Sequence, residues 1–170
     1  MKLEEQITSL ELAMKLYVLG VNQESLFYYQ NEPYNNGEDD IEIKTREENH
    51  FSNHNDFNKM HPKYSAFTVP ELLELIPSIF YKDETLELYS LVDEVNRPVT
   101  HIIPHRYHIS VDKMPLMETH WSCSAIGYGF DNFGQQICSM SFGEHDKNCA
   151  NACAKMLIHL IENGIINNDK

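Results

Sequence analysis

The sequence predicts an α+β fold in which an antiparallel sheet of about four to six strands carries an N-terminal and a C-terminal helix on one face. Three observations lead to this prediction. A capped helix opens the chain, strand-like segments separated by turn residues fill much of the second half, and an amphipathic helix rich in Ala and Cys closes it. With 170 residues, the chain is expected to be a single domain spanning 1–170.

The segment ITSLEL (residues 7–12) has the pattern of a helix N-terminus. Thr8 is predicted to be the N-cap, because Glu11 follows three residues later and completes a capping box. Gly20 is predicted to end this helix in a left-handed conformation.

The segment FTVPEL (residues 67–72) repeats this pattern, with Thr68 as N-cap and Glu71 in the capping box. Pro77 is predicted to end the second helix. Capping explains the echo between the two segments, so it indicates neither a duplication nor a DNA-binding helix-turn-helix.

Between these helices, SLFYYQ and IEIKT are predicted to form two strands joined by the turn-rich stretch NEPYNNGEDD. The following residues, around 47–63, are polar, scattered with Asn and His, and without a usable period. We predict that they form a flexible polar insertion.

The second half contains four strand-like segments: TLELYSLVDEV, YHISVDK, HWSCSAIGY and QQICSMSF, with Pro104 among the turn residues between them. If residues 129–132 form the turn of the last hairpin, Trp121 faces Met140 and Cys123 faces Cys138. One face of this hairpin is then apolar and the other carries serines, as expected for a sheet packed on one side.

The segment NCANACAKMLIHLIENGII (residues 148–166) is predicted to be the covering helix, ended by Gly164. Lys155, His159 and Glu162 lie opposite its apolar stripe. The stripe consists of Ala150, Cys153, Ala154, Leu157, Leu160 and Ile161.

The net charge of −13 is concentrated in the first half: residues 1–96 hold 19 acidic and 7 basic residues, whereas residues 97–170 hold 7 and 6. The chain lacks the basic cluster that binding to nucleic acid requires, so direct nucleic-acid binding is not expected. A basic protein partner is compatible with this charge. We assign its contact to Glu38, Asp39 and Asp40, in the turn of the first hairpin.

No apolar run approaches the length of a membrane span, and the first thirty residues lack the pattern of a signal peptide. A cytoplasmic location without membrane association is therefore expected. The four cysteines are predicted to be reduced residues of the core.

A zinc site is the main alternative reading of the residue types. His101, His105, His108, His120 and Cys123 are possible ligands for a metal-dependent enzyme. However, the segment Ile102-Ile103-Pro104 opposes the helix that would align the first three, so we predict no metal, no cofactor and no catalytic residue.

Three segments together resemble a family of bacteriophage and prophage proteins without an assigned activity: TSLELAMKLYVLGVNQESLFYY, YSAFTVPELLELIP and NACAKMLIHLIENGII. The chain departs from that family around residues 47–63. The resemblance implies a single-domain accessory protein and transfers no site residues. Our prediction is a non-catalytic protein that binds a basic partner; a protein whose acidity serves only solubility is the simpler alternative.

Overall fold

The computed structural model describes residues 3–31, 41–45, 63–92, 98–114, 120–130 and 136–166. Within these ranges a 3-10 turn at Leu3–Glu5 precedes three α-helices and seven strands. The helices are α1 (Leu10–Val18), α2 (Val69–Leu75) and α3 (Cys149–Glu162), and the strands are β1 (Phe27–Asn31), β2 (Ile41–Thr45), β3 (Lys63–Ser65), β4 (Ile79–Val92), β5 (Pro98–Lys113), β6 (Trp121–Phe130) and β7 (Gln136–Asp146).

These strands form two antiparallel sheets, one of order β2-β1-β3 and one of order β4-β5-β6-β7. The α+β class is therefore confirmed, with the strands divided between a three-stranded and a four-stranded sheet. Helix α3 packs on β6 and β7, and it also contacts α1 and α2. None of the helices in the described part of the chain is long and apolar enough to cross a bilayer.

The predicted pairing of the first two strands is confirmed, since Phe27 pairs with Thr45 and Asn31 with Ile41. The small sheet also contains β3, which the sequence did not reveal, because a three-residue strand shows no period. Lys63 belongs to this strand and is buried, so the insertion predicted for 47–63 does not extend to it. Residues 47–62 lie outside the described residues.

The register predicted for the last hairpin is wrong. Trp121 pairs with Asp146 and Cys123 with Glu144, while Cys138 pairs with Gly129. Strand β6 continues to Phe130 and β7 begins at Gln136, so the turn is centred about three residues later than the assumed 129–132, and each partner shifts by six positions. Because six is an even number, each residue keeps its face of the sheet. Cys123, which was predicted to lie on the apolar face of β6, is buried.

Pro104 was expected in a turn, but it lies inside β5, where it pairs with Asp83 of β4. The pairing of β5 with β6 begins at the next residue, where His105 pairs with Gly129. Pro104 therefore occupies a part of β5 that is paired on one side, the environment in which a strand tolerates a residue without an N–H group.

The N-cap prediction for α1 is wrong by one residue: Ser9 is the N-cap. Thr8 is fully buried and has a different role, because its Oγ1 accepts a hydrogen bond from the Phe67 N–H at 3.1 Å. The Thr8 N–H in turn donates to the Phe67 carbonyl at 2.9 Å, and Ile7 forms an antiparallel bridge with Thr68. The two echoing segments thus pair with each other.

The other helix ends follow the sequence. Thr68 is the N-cap of α2, its N–H donates to Glu71 Oε2 at 2.7 Å, and the capping box is formed. Gly20 and Gly164 have positive φ angles of 80° and 65° after α1 and α3. In α1, the Val21 N–H donates to the Leu16 carbonyl at 3.0 Å, which is the longer bond of a Schellman ending.

Helix α3 is buried over more of its surface than one stripe, because it contacts α1 and α2 as well as β6 and β7. Asn148 caps it, with Oδ1 accepting from the Ala150 N–H at 2.8 Å. The Asn148 Nδ2 donates to the Ile7 carbonyl at 2.8 Å, and Asn151 Oδ1 accepts from the Ser9 N–H at 2.8 Å. These bonds join the start of α3 to the start of α1.

Candidate functional site

The residues assigned to partner binding from the sequence, Glu38, Asp39 and Asp40, lie outside the described residues. The described part of the N-terminal half nevertheless contains an acidic cleft between residues 22–24 and α2. The cleft has a volume of about 140 Å³. Its lining consists of Asn22, Glu24, Phe67, Glu71, Glu74 and Leu75.

Glu71 holds the two walls of this acidic cleft together. Besides capping α2, its carboxylate accepts a hydrogen bond from the Leu26 N–H at 2.8 Å through Oε1. The Ser25 hydroxyl donates to Oε2 at 3.2 Å. Because both oxygens are engaged by neighbours in the chain, Glu71 is a positioning residue rather than a free ligand group.

Glu24 and Glu74 differ from Glu71 in this respect. Both are exposed, and within the described part of the chain neither forms an ion pair. The apolar side of the cleft is formed by the buried Phe67 and the half-buried Leu75. An aliphatic stem fits against such a surface while a cationic head stays near carboxylates, which is how lysine and arginine side chains bind.

A second groove lies between α1, α3 and β7 and has a volume of about 160 Å³. Its lining combines both signs of charge with an apolar floor. The lining residues are Leu12, Lys15, Glu144, Lys155, Ile158, His159 and Glu162.

The polar side chains of this groove are paired across its walls. Lys15 of α1 lies 2.8 Å from Glu162 of α3, and His159 Nδ1 lies 3.3 Å from Glu144 of β7. The His159 ring also stacks on Phe142, with 4.8 Å between ring centroids. The groove is therefore a polar junction between three elements, with little charge left over for a ligand.

Asp146, the last residue of β7, links this strand to the start of α3. Its Oδ2 lies 2.8 Å from Lys155 Nζ, and its Oδ1 accepts from the Asn148 N–H at 2.9 Å. Burial raises the pKa of Asp146, but the hydrogen bonds from Lys155 and Asn148 outweigh it, so the pKa lies below its ordinary value. Asp146 is thus held ionised beside the start of α3.

The structure does not bring the five possible zinc ligands together. His105 is buried, whereas His108, three residues further along β5, is exposed on the opposite face. Cys123 pairs with Val111, six residues from His105, which corresponds to about 20 Å along a strand. His120 is half-buried immediately before β6, and the His101 side chain lies outside what the structure describes.

Among the described residues, no three or more His, Cys, Asp or Glu side chains are grouped so that they could hold a metal ion. Cys123 and Cys153 are fully buried and free, which confirms their prediction as core residues. Cys149 is half-buried at the first position of α3, and burial raises the pKa of its thiol to about 11.

The acidic cleft was not predicted from the sequence, although one signal for it was present. The capping box identified Glu71 and placed it at the start of α2. The approach of residues 22–26 to that helix is a contact over more than forty positions, which no local pattern indicates. Comparison with protein-family models, curated proteins and solved structures finds no match to this chain.

Proposed function

We propose that this chain is a non-catalytic accessory protein, of the bacteriophage and prophage type suggested by its sequence, which acts in the cytoplasm by binding a basic protein partner. The observation that carries the proposal is the acidic cleft, which presents two exposed carboxylates, Glu24 and Glu74, above an apolar surface. The proposal excludes direct binding of nucleic acid.

The size of the acidic cleft supports a macromolecular partner over a small substrate. Ligand pockets usually measure about 300–1,000 Å³, whereas this cleft has about 140 Å³. At roughly 30 Å³ per water molecule it accommodates about five waters. Such a volume suits one long side chain from a partner, with the rest of the interface formed on the surrounding surface.

The charge distribution supports a basic partner. Residues 1–96 carry 19 acidic and 7 basic residues, so the half of the chain that contains the cleft has a balance of −12. A field of this sign attracts a basic surface and raises the rate of association, and salt weakens the effect. Glu38, Asp39 and Asp40 belong to the same half and are proposed to add to this attraction.

The exposed Leu26 supports an interface that extends beyond the cleft. Its side chain is 58% exposed, and its N–H is bonded to Glu71, so it lies next to the cleft. An apolar side chain beside carboxylates favours a partner segment that carries both basic and apolar residues.

The proposal is tested with a fluorescent lysine- and leucine-containing peptide, whose binding is followed by anisotropy at low and at physiological salt. The double variant Glu24→Gln/Glu74→Gln removes the two free carboxylates and leaves Glu71 in place. Two exposed ion pairs of about 0.5–1 kcal/mol each predict a loss of affinity of roughly fivefold to thirtyfold.

The matched control is Glu5→Gln/Glu11→Gln, which removes the same charge from exposed positions that do not line the acidic cleft. We expect this control to weaken binding by less than about threefold, through the general field alone. Neutralising Glu38, Asp39 and Asp40 together tests their separate contribution. Equal losses in the cleft and control variants, or binding of duplex DNA at physiological salt, would contradict the proposal.

A further inference from the structure

The sheet β4-β5-β6-β7 has two unlike faces. Helix α3 packs against β6 and β7 on one face, where Tyr107, Cys123 and Ala125 belong to the buried core. Side chains alternate along a strand, so the residues between these point to the opposite face. This outer face consists of Arg106, His108, Ser110 and Asp112 of β5 with their cross-strand partners on β6 and β7. In the described part of the chain, α3 is the only helix with an extended contact to this sheet, so no helix covers the outer face.

The middle of the outer face is low and flat. Ser110 pairs with Ser124 of β6, and Ser124 pairs with Gly143 of β7, so three small residues lie side by side. A Cβ atom on Gly143 would lie only 2.8 Å from the Ser124 hydroxyl, so this position has room for hydrogen alone. Ile126, two residues further along β6, is 36% exposed on the same face. A low row beside an apolar projection is a shape on which another sheet can pack.

The outer face also carries two opposite charges at its ends. Arg106 and Asp112 are six residues apart on β5, which corresponds to about 20 Å along the strand. Both are exposed, and neither forms an ion pair with another residue that the structure describes. A second β5 running in the opposite direction would place Arg106 over Asp112 at both ends. The charge pattern is therefore complementary to itself.

We propose that the outer face binds a second copy of this chain, with the two β5 strands stacked antiparallel across a two-fold axis at the level of Ile109. Arg106 of each copy then pairs with Asp112 of the other, which gives two identical ion pairs. Ile126 of each copy faces the low row of the other at Ser124. Packed sheets cross at about 30°, so residues about 10 Å from the axis are displaced by about 5 Å, which a flexible arginine side chain can span.

The charge distribution favours a second copy at this face. The net charge of −13 opposes the association of two copies in general. However, the strands that overlap, β5, β6 and β7, belong to residues 97–170, which hold 7 acidic and 6 basic residues. Two copies can therefore meet here without placing the acidic residues of 1–96 in the interface. A strongly basic partner, by contrast, finds no excess of negative charge on this face.

The size of the overlap predicts a weak dimer. Nine consecutive rows join β5, β6 and β7, from His105 to Lys113 on β5. With about 3.3 Å per residue and about 4.8 Å between strands, each copy contributes roughly 400 Å² of flat area, or about 800–900 Å² for the two. Weak and transient complexes have interfaces below about 1,200 Å². We therefore expect a dissociation constant of about 10–100 μM.

Sedimentation equilibrium of the full-length protein tests the proposal. Between about 1 and 300 μM, the average mass should rise from 19.8 kDa towards about 40 kDa. Arg106→Asp and Asp112→Arg each bring like charges together at both ends of the interface, so each should weaken dimerisation at least about tenfold. The matched control, Lys147→Asp, makes the same charge change as Arg106→Asp at an exposed position outside the outer face. It should change the dissociation constant by less than about threefold.

An equimolar mixture of Arg106→Asp and Asp112→Arg tests the antiparallel geometry. In the mixed dimer opposite charges meet at both ends, whereas like charges meet in each dimer of a single variant. We expect the mixture to dimerise within about threefold of the wild type. Circular dichroism establishes that each variant is folded. If one is not, Ile126→Lys replaces it, since a lysine near the axis should weaken dimerisation at least about tenfold.

Three results would overturn the proposal. The first is a wild-type protein that remains monomeric at about 300 μM, which would leave the outer face to another partner or to solvent. The second is a dissociation constant that Arg106→Asp, Asp112→Arg or Ile126→Lys leaves unchanged, because the dimer would then form elsewhere. The third is a mixture of the two folded charge variants that stays monomeric, because the two strands would then not be antiparallel.

Discussion

Substitution of Thr8 by Asn distinguishes two roles for this residue: the N-cap of a helix, or a buried link between the segments around Thr8 and Phe67. Asn is at least as good an N-cap as Thr, so a capping role for Thr8 predicts unchanged or increased stability. In the structure, however, Thr8 is fully buried and its hydroxyl accepts from the Phe67 N–H at 3.1 Å. The larger amide has no space there and brings two donors into a site that already satisfies its backbone groups.

The magnitude follows from these contacts. Overpacking a buried site costs about 1–3 kcal/mol, and an unsatisfied buried polar group costs about 1–3 kcal/mol. We therefore expect Thr8→Asn to lower the free energy of unfolding by at least about 2 kcal/mol. Thr8→Val keeps the shape and removes the acceptor, so it should lower this energy by about 1–2 kcal/mol after the gain from the added methyl group.

The matched control is Thr68→Asn, because Thr68 is the N-cap of α2 and is half-buried. There we expect a change within about 0.5 kcal/mol. Urea denaturation followed by circular dichroism and by the fluorescence of the single tryptophan, Trp121, measures all three variants. A Thr8→Asn protein as stable as the wild type would refute the buried role of Thr8 and support its prediction as the N-cap.

Two further predictions concern pH. Burial, with a smaller contribution from Lys44, lowers the pKa of Lys63 from 10.5 to about 8, so the unfolded chain binds more protons between these values and stability should rise with pH across them. Urea midpoints should show that Lys63→Met removes this rise; an unchanged slope would exclude Lys63 as its source. The pKa of Asp146 is lowered, so the stability that it contributes should be present above about pH 4 and lost as the pH falls through its folded value. The stability difference between the wild type and Asp146→Asn should therefore shrink on acidification, and a constant difference would contradict this.

The helix ends show which features of the fold could be predicted from residues close together in the sequence. Thr68, Glu71, Gly20 and Gly164 were all assigned from the sequence, and the structure confirms each of them. A capping box and a left-handed ending involve residues at most five positions apart, so nearby residues determine them. Thr8 has the same local pattern as Thr68, but its position opposite Phe67 gives its hydroxyl a different partner.

The sheet shows a similar division. The alternation of side chains determined which face of β6 is buried, because the period of a strand is two. The register depended on where the turn between β6 and β7 lies, about three residues later than assumed, so Cys123 lies opposite Glu144 instead of Cys138. A shift by an even number of residues preserves every face while it changes every partner.

The charge, the helix caps and the apolar faces of this protein are properties of its sequence, because each depends on composition or on residues close together in the chain. The acidic cleft and the contact of α3 with β6 depend on the tertiary structure. Glu71 accepts a hydrogen bond from the Leu26 N–H across 45 positions, and Cys123 of β6 and Cys153 of α3 belong to the same buried core. Such contacts form only when the burial of apolar surface brings separate elements together, and no local pattern specifies which distant side chains then become neighbours.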